Sequence, residues 1–353
     1  MNLFIYGLFH KTLNILIDKF YYMMSVICSL LRRYYIIAIL LISILLIIIS
    51  LSFGTIYINI FDINKIDDMQ YKILTLRFYR IITAFTVGGA LSIAGAGYQA
   101  ILRNPLAEPY ILGISSGAGI GAAVSIVLNF SIHFYFALPV SAFIGSMIVL
   151  SVILLSMKSK YKNFNHYNVM MSGIAINTIC GSILMLIISF SNTGKLNNIT
   201  WWLLGSLEFS NLKILLIILT IILICVFIMF LFGKHVNVLC FGNEFAYNLG
   251  ISSVRLSFII LCISSLVTSF AVAISGMIGF VGFVVPHISR SILGSSDNRI
   301  VFPYCFYLGG MFLIFCDIIS RIISSSIIPI GVITSLIGGP IFIFIINKKI
   351  RNE

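Results

Sequence analysis

Long apolar runs, cut by short clusters of charge, make up most of this chain. Tyr34–Phe53 is the first, and Arg32-Arg33 precedes it. Ile81–Leu102 is an uncharged run between Arg80 and Arg103. Pro109–Met157 contains no Asp, Glu, Lys or Arg and has room for two spans, with a break near His133–Pro139. Tyr167–Phe190, Ile214–Gly233, the long run Leu256–Ser289, Val301–Cys316 and Pro329–Ile346 complete the series. Apolar runs near 20 residues predict transmembrane helices, because the hydrocarbon core is about 30 Å thick. Leu256–Ser289 as one helix would be about 50 Å long, too long for a single crossing. Gly276, Gly279, Gly282 and Pro286 supply the break that turns it into two. The pattern therefore predicts an all-α polytopic membrane protein with ten transmembrane helices, the eighth of them short.

Composition agrees. The chain has 353 residues, 60% of them hydrophobic and only 9% charged, too little charge to cover a soluble surface. That excludes a soluble enzyme, a disordered regulator and a disulfide-stapled secreted module. The net charge of +12 belongs to topology, since loops facing the cytoplasm collect Lys and Arg. No basic cluster interleaved with aromatics stands clear of an apolar run, so no nucleic-acid partner is expected. Seven cysteines (Cys28, Cys180, Cys225, Cys240, Cys262, Cys305, Cys316) form no CxxC pair and read as small hydrophobes, with no metal site.

The basic clusters Arg32-Arg33, Lys158–Lys162, Lys234-His235 and Lys348–Arg351 are expected in the cytoplasm. Ten spans place both ends of the chain there, and nine would send the basic end at Lys348–Arg351 outside. Residues 1–33 read as an N-terminal extension, either an interfacial helix or a stretch upstream of a true start at Met23 or Met24. Residues 34–350 read as one ten-helix transmembrane domain. A shift of 181 residues aligns Ala90, Ile93, Gly95, Pro105, Ile111, Leu112 and Gly113 with Ala271, Ile274, Gly276, Pro286, Ile292, Leu293 and Gly294. The related spans, the second and seventh, would point oppositely, as in the inverted repeats of transporters.

Four strings carry candidate chemistry. Gly95 to Gln99, then Arg103-Asn104-Pro105-Leu106-Ala107-Glu108-Pro109, combine small residues for close helix approach with a rigid proline turn. Leu239 to Gly250, running on to Arg255, is a partly apolar segment between spans six and seven. Its length suits one or two short helices broken at Gly242 and Gly250, either a docking surface or a solvated connector. Gly276 to Arg290 holds His287, open to a metal or proton-relay reading but lacking the second ligand either needs, and therefore first a structural histidine. Asp317 and Arg321 are spaced to pair on one helix face. Arg77, Arg80 and Arg321 are all expected at the outer face, against the usual charge bias, which suggests an acidic partner there. No P-loop occurs, and acids within the spans are too few for a proton relay, so another subunit is expected to supply the energy.

Together these strings resemble the FecCD-type permeases of ATP-binding-cassette importers, the type II importers of iron-siderophores, haem and vitamin B12. The resemblance covers about residues 34–350. It rests on Arg77-Phe78-Tyr79-Arg80, Gly95 with Gln99, Arg103-Asn104-Pro105-Leu106-Ala107, Leu112-Gly113 and Trp202 with Gly205-Ser206-Leu207. It continues in Gly242-Asn243-Glu244 with Leu249-Gly250 and Arg255, Gly279 to Gly282, Pro286-His287 with Arg290, Asp317 with Arg321, and Pro329-Ile330-Gly331. It implies a ten-helix permease fold with an inverted repeat, paired with a second permease copy, identical or related. It implies two cytoplasmic ATPase subunits on residues 238–255, where Leu239, Gly242, Glu244, Ala246, Leu249, Gly250 and Arg255 form the coupling surface.

It further implies an extracytoplasmic binding protein docking on Arg77, Arg80 and Arg321, and a gate about residues 163–177 with Asn168, Ser172 and Asn177. Gln99, Arg103, Asn104, Pro105, Pro286, His287 and Asp317 are motif residues of structural weight. No cofactor is implied on this chain, and ATP belongs to the partners. Three positions depart from the family pattern: Tyr79 for proline, Asn243 for aspartate, and Ile327 for glutamate, the last at the outer rim. The implied function is inward transport of a ferric siderophore or related metal chelate, with haem or cobalamin as the alternative. Rivals from other classes are an ion-coupled secondary transporter and an intramembrane enzyme using His287 and Asp317.

Overall fold

The computed structural model describes residues 39–54, 56–59, 67–130, 136–157, 166–208, 212–323 and 328–352. The N-terminal extension, the Lys158–Lys162 cluster and Ile327 lie outside these residues. Among the described residues the structure is helical: α1 (Ile39–Ser52), α2 (Asp68–Leu102), α3 (Ile114–Val127), α4 (Ala137–Met157), α5 (His166–Ser189) and α6 (Thr193–Leu203). The second half holds α7 (Leu212–Cys240), α8 (Asn243–Asn248), α9 (Ser253–Ser275), α10 (Val281–Leu293), α11 (Asn298–Ile322) and α12 (Ile330–Asn352). Six of these, α2, α4, α5, α7, α9 and α11, are long and apolar enough to cross a membrane. Helices α1, α3, α10 and α12 contribute shorter apolar stretches. Two compact units divide the chain, Met1–Ile49 and Ser50–Glu353, and the second contains α2 to α12.

Helix α2 is the axis of this second unit, buried almost continuously from Ile81 to Leu102. Small residues make that possible. The Gly88 and Gly309 backbones abut, so a methyl group on either would strike the other's carbonyl; one on Gly95 would strike the Gly282 carbonyl, and one on Gly282 the Leu91 carbonyl. Without an apolar-versus-water difference between helices in lipid, such close van der Waals approach is what holds them. Gly117 and Gly121 of α3 meet Gly145 and Ser141 of α4 by the same device. On α9 the hydroxyls of Ser265, Thr268, Ser269 and Ser275 return to carbonyls one turn back, which lets a polar face be buried. Tyr98 of α2 donates to the Ser265 hydroxyl at 3.0 Å.

The long run 256–289 is broken as its length demands. Helix α9 stops at Ser275, and Gly276 takes a left-handed φ of 66° against the Trp202 carbonyl. Phe280, also left-handed, starts α10. The segment after α6 stitches the break to the start of α12. The Ser206 N–H donates to Ser275 O at 2.8 Å, Ile330 N–H to Gly205 O at 3.2 Å, and Gly331 N–H to Leu204 O at 3.0 Å.

Two sequence expectations change, and a third is narrowed. Helix α2 begins at Asp68 rather than near Ile81, with a capping box in which Gln70 accepts from the Asp67 N–H, so Arg77 and Arg80 lie within the helix. Helix α6 was not anticipated, because Thr193–Leu203 mixes Lys195 and two asparagines with apolar residues. The Leu239–Arg255 segment holds one short helix, α8, with Gly242 at its start and Gly250 just beyond its end.

Candidate functional site

Polar side chains gather at the two ends of α2. At its first end, Arg77 and Arg80 are three residues apart and share a face. Asp317 and Arg321 sit one turn apart on α11, which the Gly88–Gly309 contact draws close. Asp317 is completely buried. Arg80 Nε donates to Asp317 Oδ1 at 2.6 Å, and its Nη1 donates to Glu208 Oε1 at 2.9 Å. Arg321 Nη2 stands 2.9 Å from Asp317 Oδ2, a close ion pair without the alignment of a hydrogen bond. Arg321 also donates to the Ser50 carbonyl at 3.1 Å and hydroxyl at 2.7 Å. Arg77 donates to the carbonyls of Leu51, Ser52 and Ile56 at 2.6, 3.0 and 2.5 Å. The three arginines assigned to an acidic partner thus do converge, but their donors turn inward, and Arg77 and Arg321 are each only 6% exposed. The exposed member is Glu208.

At the second end, α2 closes with Arg103 in the left-handed region (φ 47°), its N–H returning to Gln99 O. Gln99 is clamped from both sides. Arg290 Nη1 donates to its Oε1 at 2.5 Å, and its Nε2 donates to Phe283 O at 3.3 Å. Arg103 Nη2 donates to Leu239 O at 2.9 Å. Asn104 Nδ2 approaches Met170 Sδ at 3.0 Å, while its Oδ1 accepts from the Leu106 N–H at 2.9 Å. Close by in sequence to Leu239, Asn237 Oδ1 accepts from the Asn298 N–H and side-chain amide, and its Nδ2 donates to Asp297 Oδ1 at 2.6 Å. Asp297 caps α11, and its Arg299 and Asn237 hydrogen bonds hold its carboxyl well below the usual carboxylate range. Pro105 is exposed in the turn, whereas Pro286 is buried inside α10 with His287 half-buried beside it.

His287 is one turn from Arg290, at the Gln99 end, and Asp317 is at the Arg80 end. Nineteen residues of α2 separate those ends, about 28 Å at 1.5 Å per residue. A shared catalytic centre for His287 and Asp317 is therefore not formed. Among the described residues no group of three His, Cys, Asp or Glu side chains is placed to hold a metal ion.

Beyond Leu239 the chain leaves the bundle as α8. Leu239 and Ala246 are buried, and the Ile251 N–H folds back to Ala246 O at 2.9 Å. Glu244, Tyr247, Leu249 and Arg255 face outward, together with Phe241. Gly242 (φ 121°) and Gly250 (φ 71°) provide the two left-handed corners the compact turn requires. On α5, Asn168 is exposed and its carbonyl accepts from the Ser172 hydroxyl. Asn177 accepts from Ser116 of α3, and its backbone lies against Gly113. Residues 163–165 of the expected gate lie outside the described residues. Farther along α5, Thr178, Gly181, Ser182, Met185, Leu186 and Ser189 line an open hollow.

Glu208, Asn237 and Asp297 were not singled out by sequence reasoning. A clue existed for two of them, since the whole chain has only 10 acidic residues and each is conspicuous. Asn237 carried none, because a single amide at a helix end is commonplace.

A model of the FecCD transport family matches residues 40–348. A permease protein of an uncharacterized ABC transporter from Bacillus subtilis (strain 168) is 37% identical over 290 residues, covering 81% of this chain and 82% of its own. The hemin transport system permease protein of Yersinia pestis is 34% identical over 305 residues, covering 85% and 89%. Among solved structures, an inward-facing conformation of a putative metal-chelate type ABC transporter matches with a TM-score of 0.80 and 29% identity, covering 90% of this chain and 99% of that one.

Proposed function

This chain belongs to the FecCD transport family and is the permease subunit of an ABC importer of the metal-chelate, hemin and B12 type; on that premise we propose that its cargo is a ferric siderophore or a related metal chelate. Haem and cobalamin are the alternative cargoes. The chain moves its cargo without making or breaking bonds in it. The observation that carries the reading is α8 with its flanking turns, outside the spans, which shows Phe241, Tyr247 and Leu249 to solvent beside the charged Glu244 and Arg255. A surface with exposed aromatic anchors and a charged rim suits a protein partner. Here that partner is an ATPase subunit, one on each of two permease copies.

With the more basic loops taken to face the cytoplasm, α8 and the Gln99 end lie inside and the Asp317 end outside, in a bacterial plasma (inner) membrane. The binding protein docks at the outer end. Since Arg80 already holds Glu208, an acidic group of that protein competes with Glu208 for it. The hollow on α5, lined by small, hydroxyl and apolar side chains, faces the second permease copy, identical or related, and forms the transport path with it. Asn168, Ser172 and Asn177 stand at its inner gate.

Reconstitution in proteoliposomes with the ATPase and binding protein tests the reading. Uptake of a ferric siderophore, hemin and cobalamin is measured in parallel, with and without ATP. ATP-dependent uptake of the siderophore is expected. Uptake of hemin or cobalamin alone would replace the cargo, and uptake that survives without ATP but collapses with the proton gradient would replace the class.

A further inference from the structure

The junction between α2 and α3 touches both the root of α8 and the start of α5, and it does so with consecutive residues. Arg103 reaches the Leu239 carbonyl, three residues before Gly242, the residue that opens α8. Asn104 reaches Met170 on α5, in the turn between Asn168 and Ser172. A left-handed backbone at Arg103 sends the two side chains to these different neighbours. A non-glycine residue held in that region costs free energy, and its persistence needs a reason in the surrounding contacts. The guanidinium is that reason here, since glycine would make the turn more easily but would hold nothing.

We propose that Arg103 and Asn104 form a two-residue bridge that passes displacement of the α8 docking loop to the gate on α5. The proposal rests on the docking role given to α8 above and adds the route by which docking reaches the path. The Gly242 N–H donates to the same Leu239 carbonyl at 3.3 Å, so that carbonyl is drawn along when the root of α8 shifts. The charge-assisted contact to that carbonyl is the stiffer link, and the amide–thioether contact the softer one. The turn itself is closed separately, by the Leu106 N–H on Asn104 Oδ1 and the Arg103 N–H on Gln99 O. Each link can therefore be cut without opening the turn.

Arg103→Gly keeps the left-handed corner and deletes the first link. Asn104→Asp keeps the acceptor for the Leu106 N–H and deletes the donor to Met170, and Met170→Leu removes the same link from the other side without a change in charge. Hydrogen–deuterium exchange is followed in residues 238–255 and 166–177 of the full complex with its ATPase, with and without a non-hydrolysable ATP analogue. In the wild type both segments are expected to respond to nucleotide. In Arg103→Gly the 238–255 response persists while the 166–177 response falls about tenfold, the scale of one charged hydrogen bond. Asn104→Asp and Met170→Leu each lower the 166–177 response about twofold, and their combination lowers it no further. A wild-type 166–177 response in Arg103→Gly, or full additivity of the other two, overturns the bridge. Absence of any nucleotide response at 238–255 in the wild type overturns the docking role of α8 and the bridge with it.

Discussion

The two ends of α2 solve the same problem with different chemistry. At the Asp317 end, opposite charges meet out of water: one wholly buried carboxylate between Arg80 and Arg321, with Arg77 tied to nearby carbonyls. At the Gln99 end, Arg290 and Arg103 are held by neutral acceptors, the Gln99 amide and the Leu239 carbonyl. A buried ion pair leaves an uncompensated charge when it is broken, so it resists separation. A cation on a neutral acceptor strands no opposite charge when the contact is strained, so the contact can move with its neighbours at less cost. The Asp317 end is thus built to stay closed, and the Gln99 end, beside α8, is built to shift.

The comparison can be broken experimentally. The largest effect is expected for Asp317→Ala, which takes the buried counter-charge from Arg80 and Arg321; removal of one partner of a buried pair costs about 3–5 kcal/mol. Thermal unfolding in detergent should show it, and an unchanged midpoint would mean that the arginines find other acceptors. Gln99→Leu removes a neutral acceptor from Arg290 and should cost less, about 1.5–3 kcal/mol. Equal losses at the two sites would erase the distinction between them.

Asp297 sharpens the contrast through pH. Its folded carboxyl lies below its unfolded value of about 3.9, so its contribution is fully present above that pH and is lost as pH falls through the folded value. Acid should therefore lower the unfolding midpoint less in Asp297→Asn than in the wild type. The smallest stability change belongs to Glu208→Gln, because an exposed pair contributes about 0–1 kcal/mol. Its readout is binding: freeing Arg80 should strengthen association with the binding protein at low salt, and unchanged affinity would show that Glu208 does not compete.

Sequence legibility followed the range of the interaction. The break between α9 and α10 was readable because an uninterrupted helix would overrun the bilayer and the glycines stood at the right place. The shared face of Asp317 and Arg321 was readable because both lie on one helix. The extension of α2 back to Asp68 was not, because Arg77 and Arg80 look like loop residues until their acceptors are known. Arg80's acceptors are 237 and 128 residues away. Helix α6 escaped because it does not span, and its value lies in bringing Leu204–Ser206 to the α9 break.

That stitched break also sets an order of events during synthesis. Within a bilayer an unpaired backbone group has no water to turn to. The segment after α6 is made before α9, so the Ser206 N–H is already waiting when Ser275 is inserted. The carbonyls of Leu204 and Gly205 must wait for Ile330 and Gly331, near the end of the chain. Until Ile330 and Gly331 are made, those two carbonyls have no N–H to meet, so this seam closes late in synthesis.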